Sequence, residues 1–360
     1  MRKMNRPLQK VNGHTVGLDV HSRSITFCIL DRKGGEVATG EFAADEPCLE
    51  RFLAKHVGRK RCHFGFEASG YSLWLYDFLV ARYGKERVHV AHARALRMVA
   101  NSKRKNDEND TYWLARLTHE GRLPEARLPD AELRELRLAT RFRIRAVRRR
   151  TQVIERIRSL LAQVGMRIPA KLTSQVGSLR LAEAISHLSG VRRDAVTEYA
   201  EELDRLQRRI QAWKERITRL VEGLEEVHAL EREIPGVGSM LAATIYAETG
   251  SLRRFGSAKQ LGGFTGFPPS DRSTGGKTLH GGMSREGSPF LRWALVQAVL
   301  ACTRSRRGPG KAVGDWVRKR YVRMGLKRRA QCAAGRKLAE TIWRLFHYGE
   351  RFDAARAFPS

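Results

Sequence analysis

Residues 14–20 (HTVGLDV), 24–31 (SITFCILD) and 36–42 (EVATGEF) are the stretch of sequence that decides the fold of the first part of the chain. Each segment is short and is bounded by turn-forming or polar residues, which is typical of β-strands. The tetrapeptide RKGG (32–35) predicts a hairpin turn between the second and third segments. These residues therefore predict three sequential strands, with Asp19 at the end of the first.

The residues that follow alternate between helix and strand patterns. Helical spacing occurs over CLERFLAKHV (48–57) and again over residues 71–84, while strands are predicted for HFGFEA (63–68), which contains Glu67, and for VHVAHA (88–93). Three strands, a helix, a strand, a helix and a strand is the chain order of a ribonuclease-H-like sheet, although other α/β folds share part of it. The first domain is thus predicted to be α/β.

Two long helical patterns come next. The first lies within residues 133–161, where apolar or small residues recur in steps of three and four, at Leu133, Leu136, Thr140, Ile144, Val147, Thr151, Ile154 and Leu161. The second is a heptad stripe, formed by Val196, Tyr199, Leu203, Leu206, Ile210, Trp213, Ile217, Leu220 and Leu224. This pattern predicts a coiled coil or a long helical hairpin with its turn between Gly165 and Gly190, where Pro169 interrupts the helix.

The last third of the chain begins at IPGVG (234–238), before an apolar helix over 239–248. A glycine-rich stretch at 262–288 predicts a loop, and helical patterns resume at 289–304. Two more helices are predicted near 311–323 and 329–347. The C-terminal part is therefore expected to be mostly helical.

Composition points to a polyanionic partner. The 360 residues include 68 Lys and Arg against 38 Asp and Glu, a net charge of +30. This excess favours binding to phosphate backbones and argues against a small-metabolite enzyme, while the 42% hydrophobic content excludes a disordered basic tail. The five scattered cysteines contain no CxxC pair, which excludes a zinc ribbon, and no apolar run predicts a membrane helix or signal peptide. A cytoplasmic, nucleoid-associated location is expected.

Four acids could form a metal site. Asp19 and Glu67 end predicted strands, and Asp107 and Asp110 share one face of a predicted helix because they are three residues apart. Four converging carboxylates repel one another unless a divalent cation neutralises them, and hard oxygen ligands suit Mg²⁺ or Mn²⁺. Surface salt bridges and helix capping are the alternative explanations, and Glu108 should point away from the other acids.

The glycine-rich stretch contains STGGKT (273–278), among the basic residues Arg272, Lys277, His280 and Arg285. Its ending is similar to a nucleotide-binding P-loop, but the first glycine of that motif would fall on Asp271, which excludes the motif. A serine here, Ser273, could attack a phosphate. The alternative is a mobile loop whose glycines and hydroxyls only contact phosphates.

Two further features could bind nucleic acid. The first long helix carries Arg141, Arg145, Arg148 and Arg149, and IPGVG contains Gly236 and Gly238 directly before a helix. Glycine amides at such a helix start can bind a backbone phosphate, as in helix-hairpin-helix modules. An ordinary tight turn explains these five residues equally well.

Taken together, VGLDVH, FGFEASG, KNDENDTYWLARL, IPGVG, AETGSLRRFGSAKQLGGFTGFPP and RSTGGKTLHGGMSREGSPFLRWAL resemble one family across about residues 14–350. They resemble the DEDD transposases of the IS110 family of bacterial insertion sequences, relatives of the Piv and MooV invertases. Members are bridge-RNA-guided serine recombinases. The resemblance implies a RuvC-like domain with the ribonuclease H fold (14–125), a helical coiled-coil middle (126–228) and a C-terminal transposase domain (229–350), with a basic arm (1–13) and a tail (351–360).

The resemblance also implies site residues and partners. Asp19, Glu67, Asp107 and Asp110 match the acids that bind Mg²⁺. Ser273 matches the nucleophile, although some relatives have the serine where this chain has Thr274. The implied reaction is DNA cleavage and rejoining through a phosphoserine, in homodimers that assemble into homotetramers, with sequence choice made by a structured guide RNA. The heptad stripe is a predicted assembly surface.

Two other functions fit part of this pattern. A metal-dependent nuclease or Holliday-junction-resolvase-like enzyme would use the acids without a serine nucleophile. A non-enzymatic coiled-coil scaffold would use only the basic surface.

The net charge of +30 generates a first prediction. We expect binding to DNA or RNA to weaken steeply as salt rises, because each neutralised phosphate releases counterions. A fluorescence-anisotropy titration between about 50 and 200 mM salt should show a loss of at least about 10³-fold in affinity, as for six or more phosphate contacts. A flat salt response would contradict the predicted polyanion surface.

Overall fold

The computed structural model describes residues 11–58, 60–92, 96, 107–274, 277–283 and 287–359, apart from the side chains of 107–109 and 269–282. The chain divides into two compact units, of which the first ends at Leu128 and the second begins at Pro129. Most of the predicted basic arm (1–13) lies outside the described residues.

The first unit contains a mixed five-stranded sheet. Its strands are β1 (His14–Val20), β2 (Ser24–Leu30), β3 (Glu36–Ala43), β4 (Cys62–Glu67) and β5 (Val88–Ala91). The spatial order is β3-β2-β1-β4-β5, in which β1 to β3 are antiparallel and β4 and β5 run parallel to β1. All five predicted strands are confirmed, as is the α/β class of this part of the chain.

Helices cover both faces of this sheet. On one face, α1 (Glu46–Phe52), continued by a π-helical turn over Leu53–Val57, and α2 (Leu73–Tyr83) pack against alternate strand residues. The N-cap carboxylate of Asp45 accepts a hydrogen bond of 2.8 Å from the backbone amide of Cys48, which fixes the start of α1. The other face is covered by α3 (Asp107–His119), whose Ala115 is buried with strand residues Cys28 and Leu30.

Two long helices open the second unit. They are α4 (Ala131–Ala162) and α6 (Gly190–Leu220), and the connection between them contains α5 (Gln175–Ser186). The pair packs along its length as a helical hairpin. Five members of the predicted heptad stripe are buried inside this hairpin: Val196, Leu203, Leu206, Ile210 and Ile217. The interpretation of the stripe as an assembly surface is therefore wrong, because the chain's own α4 covers it.

The predicted stripe on α4 is confirmed in its first half and at Leu161, which is buried, but it is wrong between them. Thr151 is exposed and Ile154 is only partly buried, whereas Val153 and Ile157, which lie outside the predicted stripe, are fully buried. The buried face is rotated because Arg143 and Arg150 lie within it, and their Nε atoms are shielded from solvent. An arginine stem can bury its methylenes among apolar residues, so a count of apolar positions misses the centre of the face.

In the rest of the second unit, the described residues form helices and one hairpin. The helices are α7 (Glu225–Glu233), α8 (Ser239–Thr249), α9 (Ala258–Phe264), α10 (Pro289–Arg304), α11 (Gly308–Met324), α12 (Lys327–Tyr348) and the short α13 (Ala354–Ala357). The prediction of a loop at 262–288 is wrong, because β6 (Pro269–Thr274) and β7 (Lys277–Met283) pair there as antiparallel strands. Hydroxyl-bearing and β-branched residues among the glycines permit this pairing. No described helix is long and apolar enough to cross a membrane.

The buried stripe predicts which residues stabilise the hairpin. Leu203→Ala should lower the free energy of unfolding by about 2–5 kcal/mol, because Leu203 is 2% exposed and its loss leaves a cavity. Val191→Ala on the same helix should change it by less than about 0.5 kcal/mol, since Val191 is 84% exposed. Urea unfolding of both variants checks this, and equal effects would show that the stripe is not buried.

Candidate functional site

The ends of β1 and β4 bring two acids to one edge of the sheet. The parallel register pairs Gly17 with Gly65 and Leu18 with Phe66, so Asp19 and Glu67 are the next residues of each strand. Neighbouring strands lie about 4.8 Å apart, and residues in register point to the same side. Asp19 and Glu67 therefore lie side by side, on the same face as the two glycines.

Those glycines allow α3 to lie directly on the sheet. A Cβ on Gly17 would lie 2.1 Å from the carbonyl oxygen of Thr111 and 2.6 Å from the amide nitrogen of Ala115. A Cβ on Gly65 would lie 2.0 Å from Oγ1 of Thr118. A Cβ on Gly17 would require the backbone of α3 to move, and a Cβ on Gly65 would require the side chain of Thr118 to move.

The direction of α3 follows from its contacts along β1. Nδ1 of His119, the last residue of α3, lies 3.4 Å from Oγ1 of Thr15 near the start of β1. Thr111, near the start of α3, lies over Gly17. The helix therefore runs antiparallel to β1, and its first turn, with Asp107 and Asp110, faces the edge that carries Asp19 and Glu67.

The charges at this edge include one nearby base. Nε2 of His21 lies 3.3 Å from a carboxylate oxygen of Asp19, whose side chain is partly buried at 22% exposed. Among the described side chains, no three His, Cys, Asp or Glu residues are grouped closely enough to hold a metal ion. The side chain of Asp107 lies outside that set, so the four-acid site stays a prediction. The donor chemistry, carboxylate oxygens on adjoining elements, fits Mg²⁺ or Mn²⁺.

A histidine pair lies on the same face of the sheet but away from this edge. Nδ1 of His63 is 3.1 Å from Nε2 of His89, and Nδ1 of His89 is 2.7 Å from the carboxylate of Glu125. Burial, and secondarily His89, lowers the pKa of His63 to about 4. His63 is therefore neutral at neutral pH, and the pair joins β4 and β5 to the segment that contains Glu125.

The candidate nucleophile lies on the hairpin of the second unit. Ser273 is the penultimate residue of β6 and pairs with Thr278 of β7, while Thr274 pairs with Lys277. Arg272 precedes Ser273 and pairs with Leu279. The side chains of these residues lie outside the described part of the structure.

The IPGVG segment forms the turn between α7 and α8. Gly236 adopts a left-handed φ of 76°, and a Cβ there would lie 2.3 Å from the carbonyl oxygen of Ala298 and 2.8 Å from Sγ of Cys302. Its glycine is thus required for close packing on α10. Gly238 is the N-cap of α8, and a Cβ there would meet nothing within 4 Å. Of the two glycines, only Gly238 leaves open space beside the helix start.

The four predicted nucleic-acid-binding arginines of α4 differ in their surroundings. Arg141 donates two hydrogen bonds, at 2.7 and 2.8 Å, to the buried carboxylate of Glu248. Arg149 makes a similar two-point contact with the carboxylate of Glu202, at 2.6 and 3.1 Å. Both are therefore engaged within the chain.

Arg141 also lies over an aromatic ring, 5.0 Å from the centroid of Phe290, and aromatic rings are neighbours of Arg145 and Arg148 as well. Both guanidinium groups lie over the ring of Phe290, at 5.9 and 5.7 Å from its centroid. Arg148 also lies 5.9 Å from the ring centroid of Trp293. Stacking on an aromatic ring leaves the N–H edge of a guanidinium free to meet an anion.

Comparisons with known proteins decide the family. A family model for DEDD transposases of IS110 elements matches residues 16–166, and the model described as "Transposase IS116/IS110/IS902 family" matches residues 228–313. The chain belongs to the IS110 family of transposases. Members of this family are enzymes that cleave and rejoin DNA. The first match spans all four acids of this transposase, and the second spans the IPGVG turn and the serine hairpin.

Relatives from three bacteria agree with this assignment. The transposase for insertion sequence element IS1111A of Coxiella burnetii is 27% identical over 251 residues, which cover 69% of this chain and 68% of the relative. A putative transposase (y4pF/y4sB) of Sinorhizobium fredii is 27% identical over 77% of this chain and 71% of its own. A probable family 20 transposase of Pseudomonas aeruginosa is 26% identical over 59% of this chain and 64% of its own.

Sequence reasoning missed three residues that shape this transposase. Gly17 and Gly65 each stand two positions before a strand-end acid, and that repeated G-x-acid spacing is a visible signal. Glu248, by contrast, lies in a segment noted only for its apolar residues. It becomes important because Arg141 and Arg137 both reach it from α4.

The glycine contacts yield a matched pair of variants. Gly17→Ala should lower the free energy of unfolding by about 1–3 kcal/mol, because the new Cβ would overlap the backbone of α3. Gly70→Ala is the control, since a Cβ there meets nothing within 4 Å. Thermal and urea unfolding measure both. If Gly17→Ala behaves like the control, α3 does not lie on β1 as described.

Proposed function

We propose that this transposase is an RNA-guided recombinase of a bacterial insertion sequence, which cleaves and rejoins DNA through a phosphoserine at Ser273. Asp19, Glu67, Asp107 and Asp110 would hold Mg²⁺ or Mn²⁺ for this reaction. The observation that carries the proposal is the sheet edge where Asp19 and Glu67 end adjacent parallel strands beneath the first turn of α3. In the family, residues at the matching positions form the metal site.

The strand arrangement supports a RuvC-like, ribonuclease-H-type assignment for the first domain. The order β3-β2-β1-β4-β5, with an antiparallel meander followed by two parallel strands, agrees with that fold. We accordingly retain the proposed domain limits of 14–125, 126–228 and 229–350. The middle domain would contain the helical hairpin, and the last would contain the serine hairpin.

The acids would act on the phosphate that is cut. A bound divalent cation supplies charge neutralisation at the phosphate and at the departing oxygen. The chain's own part is to hold the carboxylates together, although they repel one another in the absence of a cation. The close packing of α3 on Gly17 and Gly65 provides the rigid support that such an arrangement needs.

The serine step exchanges one phosphate ester bond for another. Oγ of Ser273 would form an ester bond to phosphorus as the bond from phosphorus to one sugar oxygen breaks. The proton of the hydroxyl leaves Oγ, and the released sugar oxygen gains one. Because one phosphodiester is exchanged for another, the reverse attack by a sugar hydroxyl can rejoin strands without ATP.

The partners proposed are DNA and a structured guide RNA. Base pairing by the RNA would choose the target and donor sequences, and the protein would read backbone and shape. The net charge of +30 supports binding to two polyanions. Of the four predicted nucleic-acid-binding arginines of α4, Arg145 and Arg148, which lie over Phe290, are the best placed to meet phosphates. We further propose homodimers that assemble into homotetramers, in the bacterial cytoplasm at the nucleoid.

A covalent-trapping experiment tests the proposal. Purified protein, guide RNA and end-labelled donor DNA are incubated with Mg²⁺, denatured and separated by gel electrophoresis. The wild type should retain label on the protein, and Ser273→Ala should abolish it, because the variant lacks the hydroxyl that forms the ester in this proposal. Thr274→Ala is the matched control, and it should retain the adduct since it leaves Oγ of Ser273 in place.

Other outcomes would redirect the assignment. An adduct that survives in Ser273→Ala but is lost in Thr274→Ala would move the nucleophile by one residue. DNA cleavage with no adduct in the wild type would instead indicate a metal-dependent nuclease of the junction-resolvase kind. Asp19→Ala should abolish cleavage under either mechanism, whereas a non-enzymatic scaffold would show no cleavage in any variant.

A further inference from the structure

The turn between α11 and α12 is a continuous exposed segment. All nine residues from Tyr321 to Arg329 are exposed, whereas Val317 before them and Ala330 after them are buried. The turn is made by Gly325 in the left-handed conformation, with a φ of 68°. We call Tyr321–Arg329 the helical corner.

The helical corner exposes large apolar side chains. Tyr321 is 45% exposed, Val322 84%, Met324 40% and Leu326 51%. Single exposed apolar residues are common on protein surfaces, but four within six positions form a patch. Such a patch, rimmed by polar residues, is typical of a binding surface.

The corner is also strongly basic. From Trp316 to Ala339 the chain contains no Asp or Glu, but it contains nine cations: Arg318, Lys319, Arg320, Arg323, Lys327, Arg328, Arg329, Arg336 and Lys337. Arg318 pairs with Asp315. Within the part of the chain that the structure describes, the four cations of the corner itself have no carboxylate partner. The patch therefore carries uncompensated positive charge.

Three of those cations lie in an unfavourable place for helix stability. Lys327, Arg328 and Arg329 form the first turn of α12, where the helix dipole is already positive. Leu326, the N-cap residue, offers no side-chain hydrogen bond to that turn. The repulsion would be relieved by an anion bound at the corner.

Charge and apolar exposure together select the partner. The same corner of a second copy would be repelled, because Tyr321–Arg329 contains four cations and no acid. A nucleic-acid duplex offers phosphates but hides its base faces, and so leaves Tyr321 and Leu326 without apolar contacts. A single strand offers both phosphates and unstacked bases.

We propose that the helical corner binds a single-stranded segment of nucleic acid, with phosphates on Arg323, Lys327 and Arg328 and unstacked bases on Tyr321 and Leu326. This inference rests on the proposed function, in which guide RNA pairs with opened DNA strands. It assigns to α11 and α12 the task of holding a strand, separate from the acids and from Ser273.

Fluorescence anisotropy with the full chain in EDTA tests the proposal. The labelled 20-nucleotide probes are a single-stranded RNA, a single-stranded DNA and a DNA duplex. The paired change Tyr321→Ser and Leu326→Ser keeps every charge. It should weaken single-strand binding about tenfold, as expected for loss of base stacking, and duplex binding less than twofold. Comparison of the RNA and DNA probes shows which strand the corner prefers.

A second variant removes charge at the corner. The triple change Arg323→Gln, Lys327→Gln and Arg328→Gln should reduce the slope of log affinity against log salt by about 2 for single strands. Its matched control removes the same charge from exposed positions of α6, by Arg192→Gln, Arg193→Gln and Arg208→Gln. The control should leave single-strand affinity within about threefold of the wild type. Circular dichroism should show unchanged helicity in all variants, because every changed residue is exposed.

Three results would overturn the proposal. The first is single-strand affinity equal to that of the wild type in both corner variants. The second is a loss of single-strand affinity in the α6 control as large as in the corner variants. The third is binding of the corner to vesicles rich in phosphatidylserine without any binding to single strands. The assay needs neither metal nor Ser273. A chain that forms no phosphoserine but loses single-strand binding in the corner variants would therefore refute the proposed function and leave this inference standing.

Discussion

Close packing of α3 on two glycines is the constraint on which the first unit depends. The backbone of α3 crosses β1 at Gly17, and the side chain of Thr118 lies against Gly65 of β4. Because the parallel register aligns the two glycines, it also aligns the two acids that follow them. One packing contact therefore sets the position of α3 relative to the strand ends that carry Asp19 and Glu67.

The second unit depends on the helical hairpin of α4 and α6. Its apolar seam is closed within the chain, and the arginines of α4 serve several different purposes. Arg141 neutralises the buried Glu248 of α8, which would be costly to bury alone. Arg145 and Arg148 lie over Phe290 at the start of α10, a ring that Arg141 also contacts. Charge that looks uniform in the sequence is thus divided between holding helices together and remaining accessible to an anion.

The sequence predicted the strands and most helices well, because buried strands and amphipathic helices impose periods of two and of three to four residues. The α6 stripe followed this rule, and five of its predicted positions are buried in the structure. What covers a stripe is not encoded in its period, so the sequence could not distinguish α4 of the same chain from a second copy. The buried face of α4 could not be recognised from its apolar residues, because Arg143 and Arg150 lie within it. The methylene groups of an arginine are apolar, although its guanidinium group is charged.

Two other features depended on long-range contacts. Strand pairing at 269–283 rests on residues up to 14 positions apart in a glycine-rich segment, where local propensity predicts a loop. The meeting of Asp19 and Glu67 could be expected from strand ends, but the closeness of α3 could be recognised only once both glycines were seen opposite its backbone.

Binding of Mn²⁺ tests most directly the central claim that α3 brings its acids to the strand-end acids. Electron paramagnetic resonance can count bound Mn²⁺ in the wild type and in Asp19→Asn, Glu67→Gln, Asp107→Asn and Asp110→Asn. The account predicts that each change weakens binding at least about tenfold, as for loss of a charged ligand, while Glu108→Gln on the same helix leaves it unchanged. Equal binding in Asp110→Asn and the wild type, or an equal loss in Glu108→Gln, would contradict the account.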